Sequence, residues 1–127
     1  SISTGLKDKI IFVGFVPDSE IVNFYQSAEL YIFPSLCEGF GLPALEAMAY
    51  GLPVVSSQAT CLPEILGKAA LYFDPQNIQD MVEKIKKVLE DDRLKQDLIA
   101  KGFSQIKKYS WSEMAKETLF LYNLIGR

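Results

Sequence analysis

The stretch Pro34-Ser35-Leu36-Cys37-Glu38-Gly39-Phe40-Gly41-Leu42-Pro43-Ala44-Leu45-Glu46-Ala47-Met48-Ala49-Tyr50-Gly51-Leu52-Pro53-Val54-Val55 decides the fold. It reads as a strand end, a glycine-bearing loop, a helix, a turn and a new strand. Leu30-Tyr31-Ile32-Phe33 just before it is a β-favouring run stopped by Pro34, which cannot donate to a sheet ladder. Pro43 suits the first turn of a helix running through Tyr50, and Gly51 suits its end. Pro53-Val54-Val55-Ser56 is the following strand.

Outward from this unit the alternation continues. Ile10-Ile11-Phe12-Val13, ended by Gly14, reads as a buried strand. Asp18 or Ser19 can cap a helix to about Ser27, with Ile21, Phe24 and Tyr25 on its apolar face. Ala70-Leu71-Tyr72-Phe73 is a fourth strand, preceded by a short helical turn near Glu64-Ile65-Leu66. Asn77 caps a helix whose Ile78, Met81, Val82, Ile85, Val88 and Leu89 follow a 3.6-residue period. Another helix begins at Asp91 or Asp92 and carries Leu94, Leu98, Ile99 and Ile106. Ser110-Trp111-Ser112-Glu113 is a capping box opening a last helix, with Met114, Leu119, Tyr122 and Ile125 expected inward and Trp111 expected as a packed core aromatic. The pattern predicts an α/β fold: about four parallel strands with helices on both faces.

Composition narrows the function. The chain has 127 residues, of which 49% are hydrophobic and 23% charged, enough for one domain with a true core. With a net charge of −3 and no basic excess, nucleic acid is not expected as a partner. The absence of histidine excludes an imidazole base and any His-ligated metal within this chain. Cys37 and Cys61 are 24 residues apart without a CxxC, so two buried thiols in a reducing compartment are expected rather than a zinc site or disulfide. The apolar run Ile10–Val16 is too short to cross a bilayer, and Ser1–Gly5 lacks the features of a signal peptide. A cytoplasmic protein is expected.

The charges are segregated. From Ile10 to Gly67 there is no Lys or Arg, only the acids Asp18, Glu20, Glu29, Glu38, Glu46 and Glu64. From Lys68 onward the chain carries eleven basic and nine acidic residues, the pattern of solvated amphipathic helices. The candidate site falls in the first region. Gly39 and Gly41 permit φ > 0 and close approach of a ligand to the backbone. Their loop ends at a helix N-terminus, where unpaired N–H groups favour an anion. An open α/β sheet binds ligands in that place, beyond the carboxyl ends of its strands. Glu38 in the loop and Glu46, expected on the first helical turn, are acceptors suited to the hydroxyls of a ribose or hexose. Taken singly, the acids read better as solvated surface groups, and Phe40 and Leu42 read equally as core. The whole string is far more specific than any of its parts.

That string resembles the signature of the retaining, group-one nucleotide-sugar glycosyltransferases of GT-B fold: a Pro-Ser ending a strand, then E-G-F-G-L-P-x-L-E-A-M-A-x-G-x-P-V-V. The two acids of the family's E-x7-E motif fall on Glu38 and Glu46. Leu62-Pro63-Glu64-Ile65 is similar to the family's P-E-I/V loop. Gly67-Lys68-Ala69-Ala70-Leu71-Tyr72-Phe73-Asp74-Pro75 is similar to a run in its mannosyltransferase-B-like branch, and Tyr109-Ser110-Trp111 replaces the usual Phe-Ser-Trp. Cys61 departs from the Gly or Ser common before Leu-Pro-Glu.

The resemblance implies that residues 1–127 form part of a donor-binding C-terminal domain, without the acceptor domain or the first two strand-helix units. It implies that Glu38 contacts the transferred sugar in the catalytic position and that Glu46 holds the ribose hydroxyls. Main-chain groups of Gly39, Phe40, Gly41 and Leu42 would cradle phosphate and sugar, and Gly14, Phe15 and Val16 would border the base. The donor would be GDP-mannose or a UDP-sugar, the acceptor a glycan or lipid-linked glycan, with no metal or separate cofactor. The full-length enzyme would be cytoplasmic or peripheral to the membrane, and this chain alone inactive. A non-catalytic nucleotide- or glycan-binding half-domain is the alternative. The family's strand order 3-2-1-4-5-6 would leave the Ile10–Val13 strand without its neighbours. It is therefore expected either to pair directly with Leu30–Phe33 or to leave edges through which a homodimer forms.

Overall fold

The computed structural model describes residues 5–126, apart from the Trp111 side chain; the reading of Ser1–Thr4 as free of signal-peptide features and of Trp111 as core therefore lies outside the described residues. After a short 3-10 turn at Lys7–Lys9, the order is α1 (Asp18–Ser27), β1 (Tyr31–Phe33), α2 (Leu42–Ala49), β2 (Val54–Ser57), α3 (Leu62–Leu66), β3 (Ala70–Phe73), α4 (Ile78–Glu90), α5 (Asp92–Ile106) and α6 (Trp111–Ile125). The strands form one parallel sheet in the order β1-β2-β3. Tyr31 pairs with Val54 and Phe33 with Ser56; Val54 pairs with Ala70 and Ser57 with Phe73.

The central strand explains the layering. Successive side chains of a strand point to opposite faces, and all four residues of β2 are buried. Val54 joins a core with Tyr25 of α1, Ala44, Leu45, Ala47 and Met48 of α2, and Leu62, Ile65 and Leu66 of α3. Val55 joins a second core with Phe73, Val88 of α4 and Leu98 of α5. Each fully buried Val, Leu, Met or Phe side chain among these contributes roughly 1.5–3 kcal/mol of transfer free energy. Helix α5 approaches α2 closely because Gly102 has no side chain: a Cβ there would stand 3.2 Å from Cβ and Cγ of Met48.

Two helix starts match their sequence signals. The Asn77 side chain accepts from the Asp80 N–H at 3.1 Å, and Asp91 accepts from the Leu94 N–H at 2.9 Å. Three other expectations are corrected. Helix α1 opens at Asp18 with Pro17 as its cap and no side-chain cap bond. Ser110 likewise makes no side-chain cap, and Glu113, instead of closing a capping box, pairs with Lys116 at 2.7 Å. The residues of α6 expected inward are at the surface, Leu119 at 62% and Tyr122 at 71% exposure. The 3.6-residue spacing is present; the described residues supply no layer against which it packs.

Of the four strands expected, the one at Ile10–Val13 is absent. Ile10–Val13 forms no ladder with Leu30–Phe33 or any other strand, and Ile11 and Phe12 are 82% and 81% exposed. The backbone at Ile10 is extended (φ −117°, ψ 120°). Local propensity thus produces extended chain, but a strand also needs a hydrogen-bonded neighbour, and none is beside this segment among the described residues. The sheet has three parallel strands. Among the described residues no helix is long and apolar enough to cross a membrane.

Candidate functional site

The loops following β1 and β2 lie side by side because the strands are adjacent and parallel. The first, from Pro34 to Gly41, ends in α2. Gly41 is the N-cap at φ +84°, and a Cβ there would stand 2.7 Å from Cδ2 of Leu62. Glycine is therefore required twice at this position, by its left-handed backbone and by the close approach of α3. Gly39 is different: it is not among the positive-φ residues, and a Cβ on it would meet nothing within 4 Å.

Helix α2 starts without a side-chain cap, Pro43 carries no N–H, and the Ala44 N–H is taken by the Gly41 carbonyl at 3.1 Å. Its first turn contains no acid. Glu46 lies one turn further in, a correction to the first-turn position expected for it.

The two glutamates have different surroundings. Glu46 accepts a hydrogen bond from the Tyr25 hydroxyl at 3.2 Å. Burial, and next the Glu46 charge, push the Tyr25 phenol up to about 12. Glu46 stands in the wall between two cavities. One, of about 520 Å³, is lined by Phe40, Leu42, Leu45, Ala49, Ile106, Tyr109 and Met114. The other, of about 390 Å³, is lined by residues that include Tyr25, Tyr31 and Pro43.

Glu38 borders neither cavity. It is half-buried, and its Oε1 accepts from the Ser35 hydroxyl at 2.9 Å. Both carboxylates nevertheless act on Tyr31 of β1, whose phenol is raised above its ordinary value by burial, then by Glu46, then by Glu38.

The structure thus gathers Phe40, Leu42 and Glu46 around one cavity and sets Glu38 and Gly39 on the loop beside it. Phe40 is half-buried and meets Tyr109 edge to face at 5.4 Å, whereas Leu42 is 46% exposed. Gly14, Phe15 and Val16 line neither cavity, and Phe15 is 92% exposed. Cys37 is exposed and Cys61 half-buried, so the expectation of two buried thiols is met by neither: Cys37 follows Pro34 out of the sheet onto a surface loop, and Cys61 lies at the start of α3. Tyr25, Tyr31, Ser35 and Thr60 were not singled out by sequence as site residues. For Tyr25 the signal was present, a tyrosine on a helix's apolar face whose hydroxyl needs a partner.

The sheet is parallel, a glycine opens the helix that follows β1, and a loop acid and a helical acid flank that opening. Comparison places the chain within a family: residues 1–105 match the family described as Glycosyl transferases group 1, and the chain belongs to it. It is 40% identical over 116 residues to O-antigen chain mannosyltransferase B of Escherichia coli, covering 91% of this chain and 30% of that protein. It is 38% identical over 109 residues to the serotype-specific mannosyltransferase WbdA of Escherichia coli, covering 86% of this chain and 13% of that one. Among solved structures, sucrose-phosphate synthase from Thermosynechococcus elongatus superposes with a TM-score of 0.84 at 28% identity, over 95% of this chain and 31% of the other. The C-terminal domain of a glycosyl transferase group 1 family protein (LpcC) from Francisella tularensis gives 0.71 at 34% identity, over 82% and 55%. The chain therefore spans about a third or less of the mannosyltransferases it matches.

Proposed function

We propose that this chain forms part of the donor site of a retaining glycosyltransferase that moves a sugar, mannose in the leading reading, from a nucleoside-diphosphate sugar to a glycan or lipid-linked acceptor. The observation that carries the reading is the start of α2. Gly41 turns the chain at φ +84° into a helix with no side-chain cap. Pro43 lacks an N–H and the Ala44 N–H is taken by Gly41, so the N–H groups offered to a ligand are those of the Gly39–Leu42 main chain, between a loop glutamate and a helical one. Uncapped N–H groups at a helix start attract phosphate, and the flanking carboxylates accept from sugar hydroxyls. In this reading Glu46 holds the ribose, Glu38 contacts the transferred sugar, and the main chain of Gly39–Leu42 meets phosphate. The segment Gly14-Phe15-Val16 borders the base. Reaction passes through an oxocarbenium-like transition state, with charge growing on the departing phosphate beside those N–H groups. The mannosyltransferase relatives support mannose as the sugar; GDP is proposed as its carrier, with a UDP-sugar as the other donor.

The test is a calorimetric titration with a nucleoside diphosphate and with its 2′,3′-dideoxy analogue, on the original chain and on Glu46→Ala. The ribose-dependent part of the signal is expected to vanish in the variant. An isotherm unchanged by the substitution overturns the assignment.

A further inference from the structure

Outside the family string, one small cluster has a single focus. Thr60 is the one non-glycine residue at positive φ among the described residues, at +50°. A β-branched residue is sterically disfavoured there, whereas glycine adopts the conformation freely. What glycine would lack is the hydroxyl. Thr60 Oγ1 accepts from the Glu38 N–H at 3.2 Å and donates to the Glu38 carbonyl at 3.3 Å. One side chain thereby holds both main-chain polar groups of one residue. Next to it the Cys61 thiol lies 3.4 Å from the Glu38 carbonyl and 3.3 Å from that of Gly39. On the other side Ser35 holds the Glu38 carboxylate at 2.9 Å, and the Ser35 carbonyl accepts from Ser57 at the end of β2.

We infer that Thr60 and Cys61 are positioning residues that fix the Glu38–Gly39 turn, and through it the Glu38 carboxylate, for the sugar end of a nucleoside-diphosphate sugar. The inference rests on the role proposed above for Glu38. Two glycines flank Phe40, so the loop has much conformational freedom to lose on ordering a ligand. The Thr60–Cys61 contacts tie it to the start of α3, and Ser57 ties it to β2. The carboxylate is therefore placed relative to the sheet before any ligand arrives, which is how a supporting shell pre-organises a binding group.

The experiment compares the original chain with Thr60→Gly, Thr60→Ser and Glu46→Ala. Each is titrated with GDP and with GDP-mannose, and thermal melting and hydrogen exchange at the Glu38 amide are followed in parallel. Thr60→Gly relieves the left-handed strain, so its melting temperature is not expected to fall. Its affinity for GDP-mannose is expected to drop roughly three- to tenfold, the range of a lost hydrogen bond, while its affinity for GDP stays the same. Exchange at the Glu38 amide is expected to accelerate in Thr60→Gly and to return toward the original rate in Thr60→Ser, with the sugar-dependent affinity. A merely structural role would lower the melting temperature and move both ligands together. Equal effects on both ligands, or none, with Glu46→Ala still weakening both, overturn the inference and leave the donor-site reading standing. If Glu46→Ala changes neither ligand, the donor-site reading has failed. An unaltered Glu38 exchange rate in Thr60→Gly overturns the clamp in either case.

Discussion

Tyr25 of α1 donates to Glu46 of α2 across 3.2 Å, and this bond joins the scaffold to the candidate site. The phenol is buried and its ring stacks on Tyr50 at 5.3 Å, with the planes 10° apart. The hydroxyl end is therefore held in one place, and Glu46 is oriented by a group that is itself packed.

The bond sets an alkaline limit. The folded phenol ionises at about 12, raised by burial and by Glu46, against 10 for an ordinary tyrosine. The native state therefore keeps a proton that the unfolded chain loses first. The stabilisation is complete below pH 10 and is lost as pH climbs through about 12. Tyr25→Phe is expected to remove one component from the high-pH end of the tyrosinate absorbance titration and to reduce stability at neutral pH by about 0.5–1.5 kcal/mol. An unchanged titration at that end would show that the hydroxyl is not held as described. Tyr72, also raised to about 12 by burial, supplies the control through Tyr72→Phe.

The glycines of the site loop are expected to behave unequally. In Gly41→Ala the new methyl would lie 2.7 Å from Leu62, at a backbone angle of +84°. Left-handed backbone costs a non-glycine residue about 1–2 kcal/mol, and overpacking typically adds about 1–3 kcal/mol. Gly39→Ala meets open space and is expected to change stability by less than about 1 kcal/mol. Chemical denaturation of the two variants checks the contrast, and equal losses would contradict the assigned turn.

The same loop shows how far sequence reading reached. Strand, loop, helix and strand between Leu30 and Ser57 were legible because proline, glycine and apolar runs report local backbone preference, and the short strands emerged within a residue or two. Ile10–Val13 was misread because it carries the same local preference, while a ladder partner is a property of the sheet. Helix α6 failed likewise: its spacing is that of a packed helix, but spacing does not name the surface that covers it. At the site, Glu38, Gly41 and Glu46 were legible as a string. Tyr31 and Thr60 were not, since their part comes from adjacency across parallel strands, and nothing local marks a threonine for φ > 0.

The charge distribution bears on affinity. Between Ile10 and Gly67 there is no Lys or Arg, so a diphosphate at the start of α2 meets main-chain N–H groups and the helix dipole. That dipole is worth ~0.3–1 kcal/mol, and up to about 2 kcal/mol when partly buried, while Glu38 and Glu46 repel the anion. Binding of GDP-mannose or of a UDP-sugar by this chain is expected to be no tighter than high micromolar, and to weaken little with added salt because no ion pair is formed. Calorimetry reading a sub-micromolar constant would mean that a cation from the Lys68–Lys116 region reaches the phosphates.

Exposed apolar surface gives the last expectation. Phe12 and Phe15 are 81% and 92% exposed, Phe120 and Leu121 of α6 are 63% and 56% exposed, and β1 is an edge of the sheet. Surface of this kind seeks a partner, and an unpaired edge strand can recruit a second copy through its main chain. The chain in isolation is expected to gain mass with concentration in light scattering. Ile32 of β1 is 39% exposed, so Ile32→Lys places a charge on the edge with little loss of core and is expected to suppress edge pairing. Phe12→Asp with Phe15→Asp removes the other patch and leaves the edge intact. If Ile32→Lys restores the mass of one chain, the copies meet at β1. If only the double variant does so, the edge is not the contact, and a mass of one chain for the original protein at high concentration removes self-association altogether.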